Sequence, residues 1–164
     1  MPRSSQFPKA SDRFNQKPQN SSQMVAPTNM PSSTAQINPE HMSLDAHKHI
    51  QKYLTTARKS KLDQNDLNAV LRLSQHLRTF GLLSAVGYIN QGNSQEDNET
   101  RKRTVPVWLC LLGQMLAADT NKKELMEKVV KMANDKPSEY MANWQKSLTL
   151  ANHWNFWARA YLED

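Results

Sequence analysis

The sequence predicts an all-α protein, a compact bundle of about six helices behind a disordered N-terminal tail. Three observations carry this. From Ser43 onward apolar residues recur at the three- and four-residue spacing of helix faces. No stretch of useful length alternates with the period of a strand. Residues 1–40 are rich in Ser, Gln, Asn and Pro and show no apolar period. Such a composition buries too little surface to offset the chain entropy lost on ordering.

The helical domain is expected over 43–163, with Ser43 as the first N-cap. At 100° per residue Ala46, Ile50, Tyr53, Leu54 and Ala57 share one face, and Lys48, Lys52, Thr55 and Lys59 fall opposite. Asp63 caps a second helix that runs to Phe80. Its apolar side is Leu67, Val70, Leu71, Leu73 and Leu77, while Asn68, Arg72, Gln75 and His76 face away. Arg78 projects onto the apolar side, where it either snorkels or meets an anion or a carboxylate. Gly81 then breaks the chain, and a short helix from Leu82 to Asn90 contains Gly87, a place for close helix contact. Residues 91–103 read as a polar, mobile loop, acidic and then basic. Pro106 suits the first turn of the next helix, whose all-round apolar character through Leu116 predicts a central, buried element. A fifth helix over 122–134 points Leu125, Val129 and Met132 inward. Past Pro137 and Ser138 the last and longest helix reaches Glu163. Its apolar arc includes Tyr140, Trp144, Leu148, Trp154 and Tyr161.

Net charge is +6 and the isoelectric point is about 9.5. The excess lies in the tail and in residues 43–81, and this asymmetry points to a polyanionic partner. Cys110 is the only cysteine and sits in an apolar run, so a buried, inert thiol in a reducing cytoplasm is expected. That run is too short to span a bilayer, and the N-terminus lacks the apolar core of a secretory signal.

Nothing in the chain reads as catalytic. The four glycines are scattered, so no phosphate-cradling loop exists, and no nucleophile stands in a recognisable setting. His41, His47 and His49 cluster, but positions 47 and 49 diverge on a helix and no Cys or carboxylate completes a tetrahedral set. They read as surface histidines, and neither metal nor cofactor is expected. Trp144 and Trp154 fall on the apolar arc and read as core. Phe156 on the polar side and Trp157 at the arc's edge read as anchors for a partner subunit.

The basic set is the strongest functional signal. Lys48, Lys52 and Lys59 form a stripe, joined by Arg58 and Lys61 at the turn and by Arg72 and Arg78 on the next helix. Cations interspersed with Thr, Asn and Gln suit phosphate contacts without base specificity. The competing reading is a helical adaptor or regulator that binds protein alone and uses its charges only for solvation.

The chain resembles the small subunit of the Cmr-type (type III-B) CRISPR effector complex over about residues 43–162. The resemblance rests on the Gly81-Leu82 junction leading into Ala85-Val86-Gly87-Tyr88-Ile89, and on the order of helices around a central apolar one. It rests also on the C-terminal series Tyr140, Leu148, Trp154 and Trp157-Ala158-Arg159-Ala160. Members of that family commonly carry basic residues after the C-terminal Trp. This chain has Asn155 and Phe156 there, which leaves Arg159 as the only basic candidate in that segment. The resemblance implies a non-catalytic subunit that self-associates head to tail as a filament beside larger backbone and large subunits. Its basic face would line the channel for guide RNA and single-stranded target RNA, in antiviral defence.

Overall fold

The computed structural model describes residues 38–92, 98–118 and 121–163. The expected tail, apart from residues 38–40, lies outside them. The described residues form five helices: α1 (Pro39–Ala57), α2 (Gln64–Asn90), α3 (Asn98–Met115), α4 (Lys122–Asp135) and α5 (Pro137–Ala160). No strand occurs among the described residues, and the one isolated bridge joins Leu62 to Leu162.

α1 starts upstream of its expected cap. Pro39 pre-sets the first helical φ, and the Asn38 side chain accepts from Glu40 N–H at 3.0 Å. Ser43 is therefore inside the helix. α1 ends where Arg58 turns left-handed (φ 55°) and Lys59 N–H closes on the Leu54 carbonyl at 2.9 Å. α2 opens on the expected cap, a reciprocal capping box between Asp63 and Asp66.

The expected break at Gly81 is a sharp kink inside α2, with φ 86° and ψ 175°. That region is open essentially to glycine alone. Side chains of α5 take up backbone groups beside it: Trp144 Nε1 donates to Leu77 O at 2.9 Å, and Leu83 N–H donates to Tyr140 Oη at 3.1 Å. Gly87 makes no close approach; a Cβ there would meet nothing within 4 Å.

α3 begins well before Pro106, which lies inside the helix, so the residues from Asn98 to Arg103 are helical and not loop. The early turns are held from outside. The Arg101 guanidinium donates to the Tyr88 and Gln91 carbonyls at 3.0 and 2.7 Å, and Lys102 pairs with Glu99 at 3.0 Å. Past Pro106, α3 is the central element: Val107 through Leu112 are all buried. In α4, Leu125, Val129 and Met132 point inward as their spacing predicts.

α2 packs on α3, α4 and α5, and α1 packs on α3 and α5. Trp154, Ile50, Leu62, Leu73, Leu77, Leu111 and Leu150 are among the fully buried side chains where these helices meet. α5 stops at Ala160, short of the expected end at Glu163. Tyr161 O accepts from Leu62 N–H at 2.8 Å and Leu62 O accepts from Glu163 N–H at 2.9 Å. The α1–α2 link thus draws the last residues out of helical geometry. Among the described residues no helix is long and apolar enough to cross a membrane.

Candidate nucleic-acid interface

The fold separates the seven cations that the sequence singles out. Lys59 lies beyond the end of α1 and does not extend the stripe. Its ammonium donates to Asp63 at 2.8 Å and to Asp66 at 2.7 Å. Asp66 is only 5% exposed and also accepts from Tyr53 Oη at 2.7 Å and from Asp63 N–H. Burial works against the Lys59 charge, but the two carboxylate hydrogen bonds outweigh it and hold the ammonium above its ordinary pKa. The hydrogen bond from Lys59 holds Asp63 below the usual carboxylate range despite partial burial. Burial and the hydrogen bond to Asp66 push the Tyr53 phenol up. Lys59 is a buttress between α1 and α2, with its charge already answered.

Lys48 and Lys52 remain on the exposed side of α1, as predicted. Lys48 lies 3.9 Å from Asp45, both side chains well exposed, a pairing that water largely screens. Lys146 of α5 acts on the same half-buried imidazole as these two ammonium groups. Burial drives His49 down to about 4, against the pull of Asp45 and with the push of Lys146, Lys52 and Lys48. Lys146 reaches this imidazole through the packing of α5 on α1. Arg58 and Lys61 are exposed in the link after α1.

His47 and His49 are not surface residues. His47 Nε2 lies 2.8 Å from Tyr161 Oη, and His49 Nδ1 accepts from Trp154 Nε1 at 3.1 Å. Each is half-buried in the α1–α5 seam. Among the described residues no group of three His, Cys, Asp or Glu side chains could hold a metal ion. Cys110 is buried, and burial raises its thiol pKa.

Arg78 is exposed and donates to the Asn152 side-chain oxygen on α5, a neutral partner that leaves its charge uncompensated. Arg72 is exposed in the middle of α2 and lines a small groove of about 140 Å³ shared with Arg103 of α3. A neighbouring depression of about 370 Å³ continues past Arg103 to Lys102, Lys59 and Tyr53. Lys102 and Arg103 fall in the stretch whose composition suggests a loop. Their helical placement beside Arg72 is what makes this a basic surface.

Of the two aromatic anchors, Phe156 is 60% exposed. Trp157 is half-buried and donates from Nε1 to Ser43 O at 3.0 Å, with His47 against its ring at 4.4 Å. It holds α5 to α1, and Phe156 stands outside it. Trp154 is fully buried, and Trp144 is half-buried at the Gly81 kink.

No family model, curated protein or solved structure matches this chain in sequence or fold.

Proposed function

We propose that the chain is a non-catalytic small subunit of a type III-B CRISPR ribonucleoprotein effector complex, contacting the backbone of guide and target RNA. The supporting observation is the exposed basic surface. Lys48 and Lys52 stand exposed on α1, and Arg72 and Arg103, for which no carboxylate partner occurs among the described residues, flank one groove. Such groups suit phosphate contacts and carry no base code. The all-helical bundle, the glycine break before Leu82 and the buried central helix agree with the resemblance in the sequence. Self-association as a filament is part of the same reading, and exposed Phe156 is a residue such a contact would cover.

Native co-purification of the tagged full chain tests this. Short RNAs sharing a constant 5′ repeat-derived handle, arriving with several larger RNA-binding subunits, are the expected result. Protein partners recovered without RNA would replace it with the adaptor reading. Within such a complex, the Lys48→Glu/Lys52→Glu variant is expected to capture less target RNA while its thermal transition is unchanged. Unchanged occupancy would remove α1 from the interface.

A further inference from the structure

The outer face of α2 carries a second feature beside its charge. Arg72, His76 and Phe80 recur every four residues and so lie on one helix face. The helical rise sets Arg72 and Phe80 about 12 Å apart along the axis. That is the length of about three to four stacked nucleotides of one strand. Phe80 is 65% exposed, the most exposed large apolar side chain among the described residues. It is the last residue before the Gly81 kink, so no following helical turn covers it.

Its inner side is braced by a run of rings. The His76 ring lies 5.0 Å from Phe80, and Trp108 stands edge-on to His76 at 5.1 Å. Tyr88 lies 4.8 Å from Trp108, and the Arg101 guanidinium covers Tyr88 at 4.9 Å. The indole is anchored by Trp108 Nε1 donating to Ala69 O at 2.8 Å, and His76 Nε2 is 3.0 Å from Ser84 Oγ. Burial lowers the His76 pKa, which keeps this ring neutral at physiological pH. Phe80 therefore sits at the end of a pre-built run of tilted and edge-on rings, with its outer side open to solvent.

Towards the N-terminus of α2 the chemistry changes from rings to cations. Arg72 and Arg103 line the groove with Asn65, Asn68 and Thr104. Glu99 also lines it, an exposed carboxylate whose charge the Lys102 ammonium at 3.0 Å offsets in part. Two guanidinium groups beside amide and hydroxyl groups suit phosphodiester oxygens. An exposed ring a few nucleotides along suits an unpaired base, because every base has a face to stack.

We infer that the α2–α3 face is a single-stranded RNA site: Arg72 and Arg103 hold backbone phosphates, and Phe80, supported by His76, stacks an unpaired base. This rests on the RNA reading above and deepens it. It adds base stacking to backbone contact and moves the main contact from α1 to α2 and α3.

The test is fluorescence anisotropy of the full chain with a labelled, mixed-sequence single-stranded RNA across a salt series. Three variants are compared with the parent: Arg72→Ala/Arg103→Ala, Phe80→Ala and Lys48→Ala/Lys52→Ala. The arginine pair is expected to lower the slope of log K against log salt by about 1.4, near 0.7 for each phosphate that is no longer neutralised. Phe80→Ala is expected to weaken binding about tenfold with the slope unchanged. Phe80→Leu, which keeps apolar bulk without a ring, is expected to behave like Phe80→Ala. RNA binding that persists in these α2–α3 variants but falls in the lysine pair would overturn this inference and leave the RNA reading standing. Absence of RNA binding, both by the chain and by its native complex, would overturn both. Loss of a protein partner on Phe80→Ala with RNA affinity intact would make the face a protein-binding surface and also overturn it.

Discussion

Two regions of the molecule are built from the same residue types and end differently towards water. The α1–α5 seam joins His47 and His49 to Trp154, Trp157 and Tyr161. The α2–α3 face joins His76 to Phe80, Tyr88, Trp108 and Arg101. In the seam every indole N–H finds a protein acceptor: Trp154 at His49 and Trp157 at Ser43. On the face Trp108 is sealed in the same manner, but the run of tilted rings continues outward to an exposed ring, and Arg72 and Arg103 line a groove on the same two helices. Composition alone does not separate a seam between helices from an open face. The seam's rings lie between two packed helices, whereas the run on the face ends in a ring that is largely exposed.

The largest effect expected from this contrast is in the seam. Trp154→Ala removes a fully buried indole and should cost about 3–5 kcal/mol, read as a lower denaturant midpoint. A loss below about 1 kcal/mol would mean that the seam does not hold the bundle together. Gly81→Ala comes next. A Cβ there would make ordinary van der Waals contact, its nearest side-chain atom 3.7 Å away, so the cost is backbone strain of about 1–3 kcal/mol. A thermal transition equal to the parent's would show that α2 does not need the kink.

Acid should separate the two regions by a smaller amount. His49 titrates near 4 in the fold and near 6.5 in the unfolded chain, so the unfolded chain binds more protons between those values. The seam's contribution is complete above pH 6.5 and is lost as pH falls towards 4. Solvent screening at this half-buried ring trims the effect to about 1–2 kcal/mol. His49→Gln, which keeps an acceptor for the Trp154 indole, should flatten that part of the pH–stability profile. A profile of unchanged steepness would place the titrating group elsewhere. The smallest effect is at Phe80. Phe80→Ala should shift stability by less than about 0.5 kcal/mol, since the ring is mostly in water. A loss of several kcal/mol would make it a core residue.

What is legible in the sequence follows the range of the forces involved. The Asp63 cap and the inward face of α4 are local, set by neighbours within one turn, and both stand where periodicity and capping chemistry put them. The start of α1 departs from expectation because Pro39 and Asn38 make a complete start of their own upstream of Ser43. The start of α3 is hidden from local pattern because Arg101 is pinned by Tyr88 and Gln91, groups on another helix and the link after it. The histidines mislead for the same reason, since the partners of His49 and His47 lie 105 and 114 residues away in the chain. Lys59 looks like part of a stripe only if α1 is projected past Ala57, where the helix stops. The candidate surface is half legible. Lys48, Lys52 and Arg72 are exposed as their helical faces predict, and Arg78 is exposed although its projection falls on the apolar side. Arg103 joins the surface, and Lys146 reaches the His49 imidazole, through packing, which no local pattern encodes.

Ultraviolet cross-linking of the full chain mixed with single-stranded RNA, with cross-linked peptides identified by mass spectrometry, tests most directly the proposal that the open face contacts RNA while the seam does not. The expected result is an RNA adduct on the α2 peptide carrying Phe80, lost in Phe80→Ala, and none at Trp154 or Trp157. Adducts confined to α1 and α5, or none on α2, would contradict it.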